Sequence, residues 1–178
     1  MSRYAAFLRG MNLGNRRITN DELAAHLEEL GFTDVGTFLA SGNVVFETDA
    51  TDSETVRSRI EEGLEAALDY RVPTFLRTGE ALREIAAFRP FPEDPIEGSR
   101  GKLQVALLRE TPTPEERKTV LDLETEDDRL VFDGQELYWL PENGVSGTGL
   151  GWRRIDEVLG TTTVRTRRTI ERIVAKFF

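Results

Sequence analysis

The stretch "LGFTDVGTFLASGNVVFET", residues 30–48, holds two short apolar runs on either side of a Ser-Gly-Asn turn signal. The runs "VGTFLA" and "VVFET" are rich in β-branched and aromatic residues, which favour strands. Glycine beside asparagine favours the backbone conformations of a tight hairpin turn. The stretch therefore predicts a β-hairpin, and its two strands must pair antiparallel because the connection is too short for a crossover.

A helix is predicted on each side of this hairpin. The segment "TNDELAAHLEELGF" opens with a capping box formed by Thr19 and Glu22, and its leucines recur at helical spacing. A second amphipathic helix is predicted over residues 53–68. With the strands "YAAFLR" before and "VPTFLR" after, the order is βαββαβ. This order is typical of ferredoxin-like folds and predicts a sheet of order 4-1-3-2 with both helices on one face.

The second half of the chain has a similar pattern of elements. The strand "KLQVALLRE" precedes a helix with the capping box Thr113 and Glu116, and two further strands flank Asp133-Gly134. After Pro141 we expect a glycine-rich stretch and helices in place of the remaining helix and strand. The prediction is an α+β protein with a ferredoxin-like module at 1–88, a linker at 89–101 and a modified second module at 102–178.

The composition excludes several classes of protein. The 178-residue chain has a net charge of −9, one histidine and no cysteine. An acidic chain argues against extended nucleic-acid binding, which needs clustered Lys and Arg, and the lack of thiols removes disulfides and sulfur-ligated zinc. No apolar run approaches the ~20 residues that cross a bilayer. We therefore expect a cytoplasmic protein without membrane segment, metal or cofactor, and the oligomeric state is left open.

Positive charge is concentrated directly after the first strand, in "FLRGMNLGNRR", residues 7–17. In the predicted topology the end of strand 1 adjoins the start of strand 3, so this segment should meet the Ser-Gly-Asn turn. Glycines let backbone N–H groups approach a ligand, and arginine offers a fork for an oxyanion. We expect a small anionic or phosphate-bearing ligand here, with Arg9 as its main contact and lesser roles for Arg16 and Arg17. The expected binding residues are Arg9, Gly10, Asn12, Ser41, Gly42 and Asn43.

The segments "LRGMNLGNRRI", "LGFTDVGTFLASGNVVFET" and "TTTVRTRRTI" resemble a bacterial family of unknown function, DUF1697, which has an LRGxNxGG opening, an SGNVVF hairpin and a terminal TxRNWxT motif. Asn15 stands where a second glycine is usual, and Thr166 and Arg167 stand where the family has asparagine and tryptophan. Arg165 holds a matched position and joins the expected binding residues. The resemblance implies an α+β fold and a bacterial or archaeal protein, and it implies no established activity. The other matched positions are Leu8, Arg9, Gly10, Asn12, Gly14, Ser41, Gly42 and Asn43.

Other features leave further functions open. The stretch "GVSGTGLGW", residues 144–152, lacks the Lys-Ser/Thr pair of a phosphate loop, and Trp152 is expected to anchor it to the core. A basic face expected on the last helix would suit either solvent or local RNA recognition. A non-catalytic interaction module, or a homodimer, is a further alternative, and the sequence does not indicate whether any reaction is catalysed. The basic face is formed by Arg165, Arg168, Arg172 and Lys176.

Overall fold

The fold consists of two compact units, each built on a four-stranded antiparallel sheet. It is given by a computed structural model that describes residues 1–40, 42–92 and 102–178. The first unit comprises Met1–Leu82 and Ile173–Phe178, and the second comprises Arg83–Arg172. This arrangement confirms the α+β class with ferredoxin-like halves. Among the described residues, no helix is long and apolar enough to cross a membrane.

The first unit follows the predicted βαββαβ order. Its sheet has the order β2-β3-β1-β4, which is the predicted order 4-1-3-2 read from the other edge. A further helix, α3, follows β4, and its residues from Arg83 onward group with the second unit. The elements are β1 (Ser2–Leu8), α1 (Asn20–Glu29), β2 (Thr33–Thr37), β3 (Asn43–Thr48), α2 (Ser53–Leu68), β4 (Thr74–Thr78) and α3 (Gly79–Ala87).

Both α1 and α2 pack on the same face of this sheet. Alternate residues of a strand point to one face, and the alternate positions Tyr4, Ala6 and Leu8 of β1 share one buried cluster with the apolar stripes of the two helices. The capping box of Thr19 and Glu22 begins α1 as predicted. The helical residues of the cluster are Leu23, Leu27, Val56, Ile60 and Leu64.

The hairpin has antiparallel strands as predicted, but its first strand is shorter at the turn. Strand β2 ends at Thr37 instead of residue 40. The described residues 38–40 and 42 belong to the connection to β3, which we call the 38–42 turn. The prediction failed here because Leu39 has a left-handed backbone with φ of 59°. That conformation cannot continue a strand.

The second unit repeats the topology of the first. Its sheet order is β6-β7-β5-β8, in which each strand corresponds to one strand of the first sheet. The elements are β5 (Gln104–Leu107), α4 (Pro114–Leu121), β6 (Asp128–Asp133), β7 (Glu136–Pro141), a short 3-10 turn (Val145–Gly147), α5 (Trp152–Leu159), β8 (Thr163–Thr166) and α6 (Arg167–Phe177).

Two expectations for this half were wrong. The strand expected to be missing after Pro141 is present as β8, and the helix before it, α5, has 8 residues where α2 has 16. Arg165 lies in β8 and not on the last helix, because its β-branched neighbours pair with β5. The module boundaries 1–88, 89–101 and 102–178 stay a prediction, and positions 93–101 of the linker lie outside the described residues.

Candidate anion-binding site

The end of β1 is fixed between two neighbouring segments of the first unit. The Leu8 N–H donates to the Gly42 carbonyl at 2.8 Å, and the Arg9 N–H donates to the Pro73 carbonyl at 3.0 Å. Gly42 has a φ of 70°, and a Cβ at this position would lie 3.0 Å from the Leu8 carbonyl oxygen. Glycine is therefore required where the 38–42 turn meets β1.

The loop that follows β1, residues 9–17, is held in shape by its own polar contacts. Gly10 and Gly14 have positive φ values of 78° and 59°, and Met11 anchors the loop in the core with 3% exposure. The Asn12 side chain donates to the Ala40 carbonyl at 3.4 Å and accepts from the Ile18 N–H at 3.1 Å. We call this segment the 9–17 loop, and Asn12 joins it to the 38–42 turn.

The 9–17 loop carries three arginines and no acidic residue. The guanidinium carbon of Arg16 lies 4.0 Å from the ring centroid of Tyr70, and Arg17 Nη1 donates to the Arg16 carbonyl at 2.9 Å. Both side chains belong to exposed residues, whereas Arg9 is half-buried. Within 1–40, 42–92 and 102–178, no carboxylate lies within ion-pairing distance of Arg16 or Arg17. Within the described part of this acidic chain, the two cations thus have no counter-charge.

The first unit brings most of the predicted residues to one edge. Arg9 and Gly10 follow β1 directly, Gly42 is bonded to Leu8, and Asn12 reaches the same turn. Ser41 lies outside the described residues. Arg165 belongs to the second unit and is described separately.

Asn43 shapes the hairpin. Its side-chain amide donates to the Phe38 carbonyl at 2.9 Å, its own carbonyl accepts from the Phe38 N–H at 3.0 Å, and it is 2% exposed. These contacts explain why an asparagine follows the glycine, and the explanation needs no ligand. Its role in binding stays a prediction.

Arg165 lies in β8 and is half-buried. Its Nη1 donates to the Thr163 hydroxyl and to the Val164 carbonyl, each at 2.8 Å. Burial lowers the pKa of Arg165 to about 10, so it stays charged at neutral pH. Arg77 of β4 makes the corresponding contact, from its Nη1 to the Leu76 carbonyl at 2.7 Å. The registers agree, since Arg77 pairs with Ala5 of β1 and Arg165 pairs with Val105 of β5.

A family model described as a protein of unknown function, DUF1697, matches residues 1–138. The chain belongs to this family. The matched range includes the 9–17 loop and the 38–42 turn. No curated protein matches the chain significantly.

A solved structure described as a conserved bacterial protein from Streptococcus pneumoniae has the same fold. It matches with a TM-score of 0.75 and 19% sequence identity, over 98% of this chain and 97% of that one. The TM-score establishes the common fold. The identity is too low to carry any activity to this member of DUF1697.

Sequence reasoning missed Tyr70 as part of this edge. The Tyr70 hydroxyl donates to the Met11 carbonyl at 3.3 Å while its ring lies under Arg16. No sequence signal linked the two, because they are separated by a helix, a hairpin and another helix. The exposure of Leu13 on the loop and of Leu39 on the turn was also not predicted.

The glycine-rich stretch of the second unit is tied to the core. The Thr148 hydroxyl donates to Asp128 at 2.6 Å, and the Leu150 N–H donates to Thr148 at 2.9 Å. The ring centroids of Trp152 and Trp139 are 5.0 Å apart, so the anchoring role predicted for Trp152 is confirmed. These contacts give residues 148–152 a structural role.

A separate groove of about 650 Å³ lies between the end of α1 and the first half of α2. Its lining includes Leu30 and one arginine, Arg59, together with the carboxylates Glu54 and Glu62. Its balance of charge does not favour an anion, and it contains none of the predicted site residues.

Proposed function

We propose that this protein binds a small anionic or phosphate-bearing molecule at the edge formed by the 9–17 loop and the 38–42 turn. The observation that carries the proposal is the pair Arg16 and Arg17, which have no described carboxylate partner on a loop free of acidic residues. Charge-assisted hydrogen bonds from arginine to an oxyanion are among the stronger polar contacts in proteins. An anion would supply the missing counter-charge.

Arg9 supports the proposal through its position. Its backbone N–H is held by Pro73 at the end of β1, so its side chain begins from a rigid element. Rigid starting points lower the ordering cost of binding. Gly10 and Gly14 provide turns in which backbone N–H groups can also approach a ligand. The cytoplasmic location expected from the sequence remains part of this proposal.

The proposal is tested by thermal unfolding at low ionic strength with phosphate, pyrophosphate and sulfate. Wild type should be stabilised by at least one anion, because a ligand bound only to the folded state raises its stability. Arg9→Ala should weaken binding by about tenfold to a hundredfold, since such contacts contribute roughly 1.5 to 3 kcal/mol each. Arg17→Ala should retain much of the effect.

A matched control separates a site from general electrostatics. Arg153→Ala removes the same charge from an exposed side chain of the second unit whose ion-pair partner is Glu157. It should leave the anion effect of wild type unchanged. If no anion stabilises wild type, or if Arg153→Ala reduces the effect as much as Arg9→Ala, the site does not exist.

A further inference from the structure

Arg16 forms a composite surface with Tyr70. The guanidinium lies over the ring at 4.0 Å from the centroid, and the ring is oriented by the hydrogen bond from its hydroxyl to Met11. The Arg16 N–H donates to the Leu13 carbonyl at 3.0 Å, which closes the turn that carries the side chain. One face of the guanidinium is on Tyr70, and because Arg16 is an exposed residue, solvent reaches the side chain where the ring does not cover it.

Apolar side chains stand beside this cation. A Cβ at Gly10 would lie 3.8 Å from Leu13 Cδ1 and 3.9 Å from Arg16 Nη1, so these two side chains flank the same space. Leu13 is 65% exposed and Leu39, on the 38–42 turn, is 43% exposed. Asn12 bonds to Ala40, the neighbour of Leu39, and so connects the two segments. An inorganic anion would neutralise the arginines and leave both leucines in water.

We propose that the ligand is nucleotide-like, with a planar heteroaromatic ring joined to a phosphate group. The ring stacks on Arg16 where Tyr70 does not cover it and covers Leu13, while the phosphate is held by the arginines of the 9–17 loop. Guanidinium planes stack well on aromatic rings, and stacking of bases is tolerant of base identity. This inference rests on the proposed function, because the phosphate uses the same loop.

The test compares adenosine monophosphate with ribose 5-phosphate, which carries the same phosphate and lacks only the base. Titration calorimetry of wild type at low salt should give about tenfold tighter binding of the nucleotide. Equal affinities would overturn the inference and leave the proposed function standing. Absence of binding by both probes and by inorganic phosphate would overturn the two together.

Variants of Arg16 and Tyr70 test whether the stack causes the preference for the nucleotide. Arg16→Lys keeps the charge and removes the planar group, so it should bind the nucleotide and ribose 5-phosphate with equal affinity. Tyr70→Leu should also lose the preference, whereas Tyr70→Phe keeps the ring and should retain it. A nucleotide preference that survives Arg16→Lys would contradict the stacking role of Arg16.

Discussion

The two units have the same strand order and differ most in the connection after their first strand. In the first unit residues 9–19 separate β1 from α1, and in the second residues 108–113 separate β5 from α4. The registers align Leu8 with Leu108 and Arg9 with Arg109, since Ala5 pairs with Val45 and Val105 pairs with Tyr138. Each strand is therefore followed by an arginine at the same register position, and only the first continues into a long loop.

The longer connection carries positive charge, whereas the charges of the shorter one cancel. Arg16 and Arg17 lie in residues 9–19, while Glu110 follows Arg109 in the short connection. The helix after each connection begins with a capping box, at Thr19 and Thr113. The extra residues are thus not needed to begin a helix, which is consistent with the binding role that we propose for them.

The second unit differs in a buried polar network. Asp128 is 0% exposed and accepts from Trp139 Nε1 at 2.8 Å, from the Thr148 hydroxyl at 2.6 Å and from the Thr125 hydroxyl at 2.8 Å. At the corresponding start of β2 in the first unit, Thr33 is exposed. The first unit thus has the exposed 9–17 loop, and the second has the buried Asp128 carboxylate, which holds the glycine-rich stretch in place.

The largest effect is expected from Asp128→Ala. Removing the carboxylate leaves the buried Trp139 N–H and two hydroxyls without their acceptor. Each buried donor left unsatisfied costs about 1 to 3 kcal/mol of unfolding free energy. Urea unfolding followed by tryptophan fluorescence measures it, because both tryptophans, Trp139 and Trp152, belong to the second unit.

Two further variants control this experiment. Asp128→Asn keeps one acceptor oxygen and should lose less stability than Asp128→Ala. Thr33→Ala changes the exposed first residue of β2 in the first unit and should stay within about 0.5 kcal/mol of wild type. A loss below about 1 kcal/mol for Asp128→Ala would show that the carboxylate does not secure the second unit.

A smaller effect is expected from Gly42→Ala. An alanine at this φ of 70° is strained, and its Cβ would press on the Leu8 carbonyl, so the unfolding free energy should fall by about 1 to 3 kcal/mol. The matched position is Gln135, whose carbonyl accepts from the Leu108 N–H at 3.0 Å. Gln135→Ala should cost no more than about 1 kcal/mol. Equal losses in denaturant titrations would contradict the special role of glycine at this edge.

The smallest effect concerns Glu22 in the capping box of α1. Hydrogen bonds from the Thr19 backbone N–H and then from its hydroxyl lower the pKa of Glu22 from 4.5. A lowered pKa contributes stability above the unfolded value, and this contribution is lost as the pH falls through the folded value. Thr19→Ala removes the hydroxyl bond to the Glu22 carboxylate and the cap bond from the Glu22 N–H. The bond from the Thr19 backbone N–H remains, so the pKa of Glu22 should rise part of the way. Carboxyl carbon shifts followed by NMR during acid titration measure it, and an unchanged pKa would contradict the hydroxyl's role.

Local signals predicted most of the fold. The capping boxes, the apolar periodicity of α2 and the turn at Gly134 each depend on residues close in sequence, and each was predicted correctly. The end of β2 was predicted incorrectly because the left-handed backbone of Leu39 is set by the turn around it. Strand β8 was missed because its four residues form a strand only by pairing with β5.

The candidate site was predictable in part. Topology alone placed residues 9 and 10 beside the 38–42 turn, since the end of one strand adjoins the start of its antiparallel neighbour. The stack of Arg16 on Tyr70 joins residues that are 54 positions apart (70 − 16). Such a contact depends on the packing of the whole unit, and no spacing rule gives it.

The most direct test of the central claim, that the first unit binds an anion at its long loop, is an amide NMR titration with phosphate at low salt. We expect chemical shift changes at residues 9–17 and at Gly42 and Asn43, with the corresponding connection 108–113 of the second unit unaffected. Changes confined to the second unit, or no changes at all, would contradict the claim.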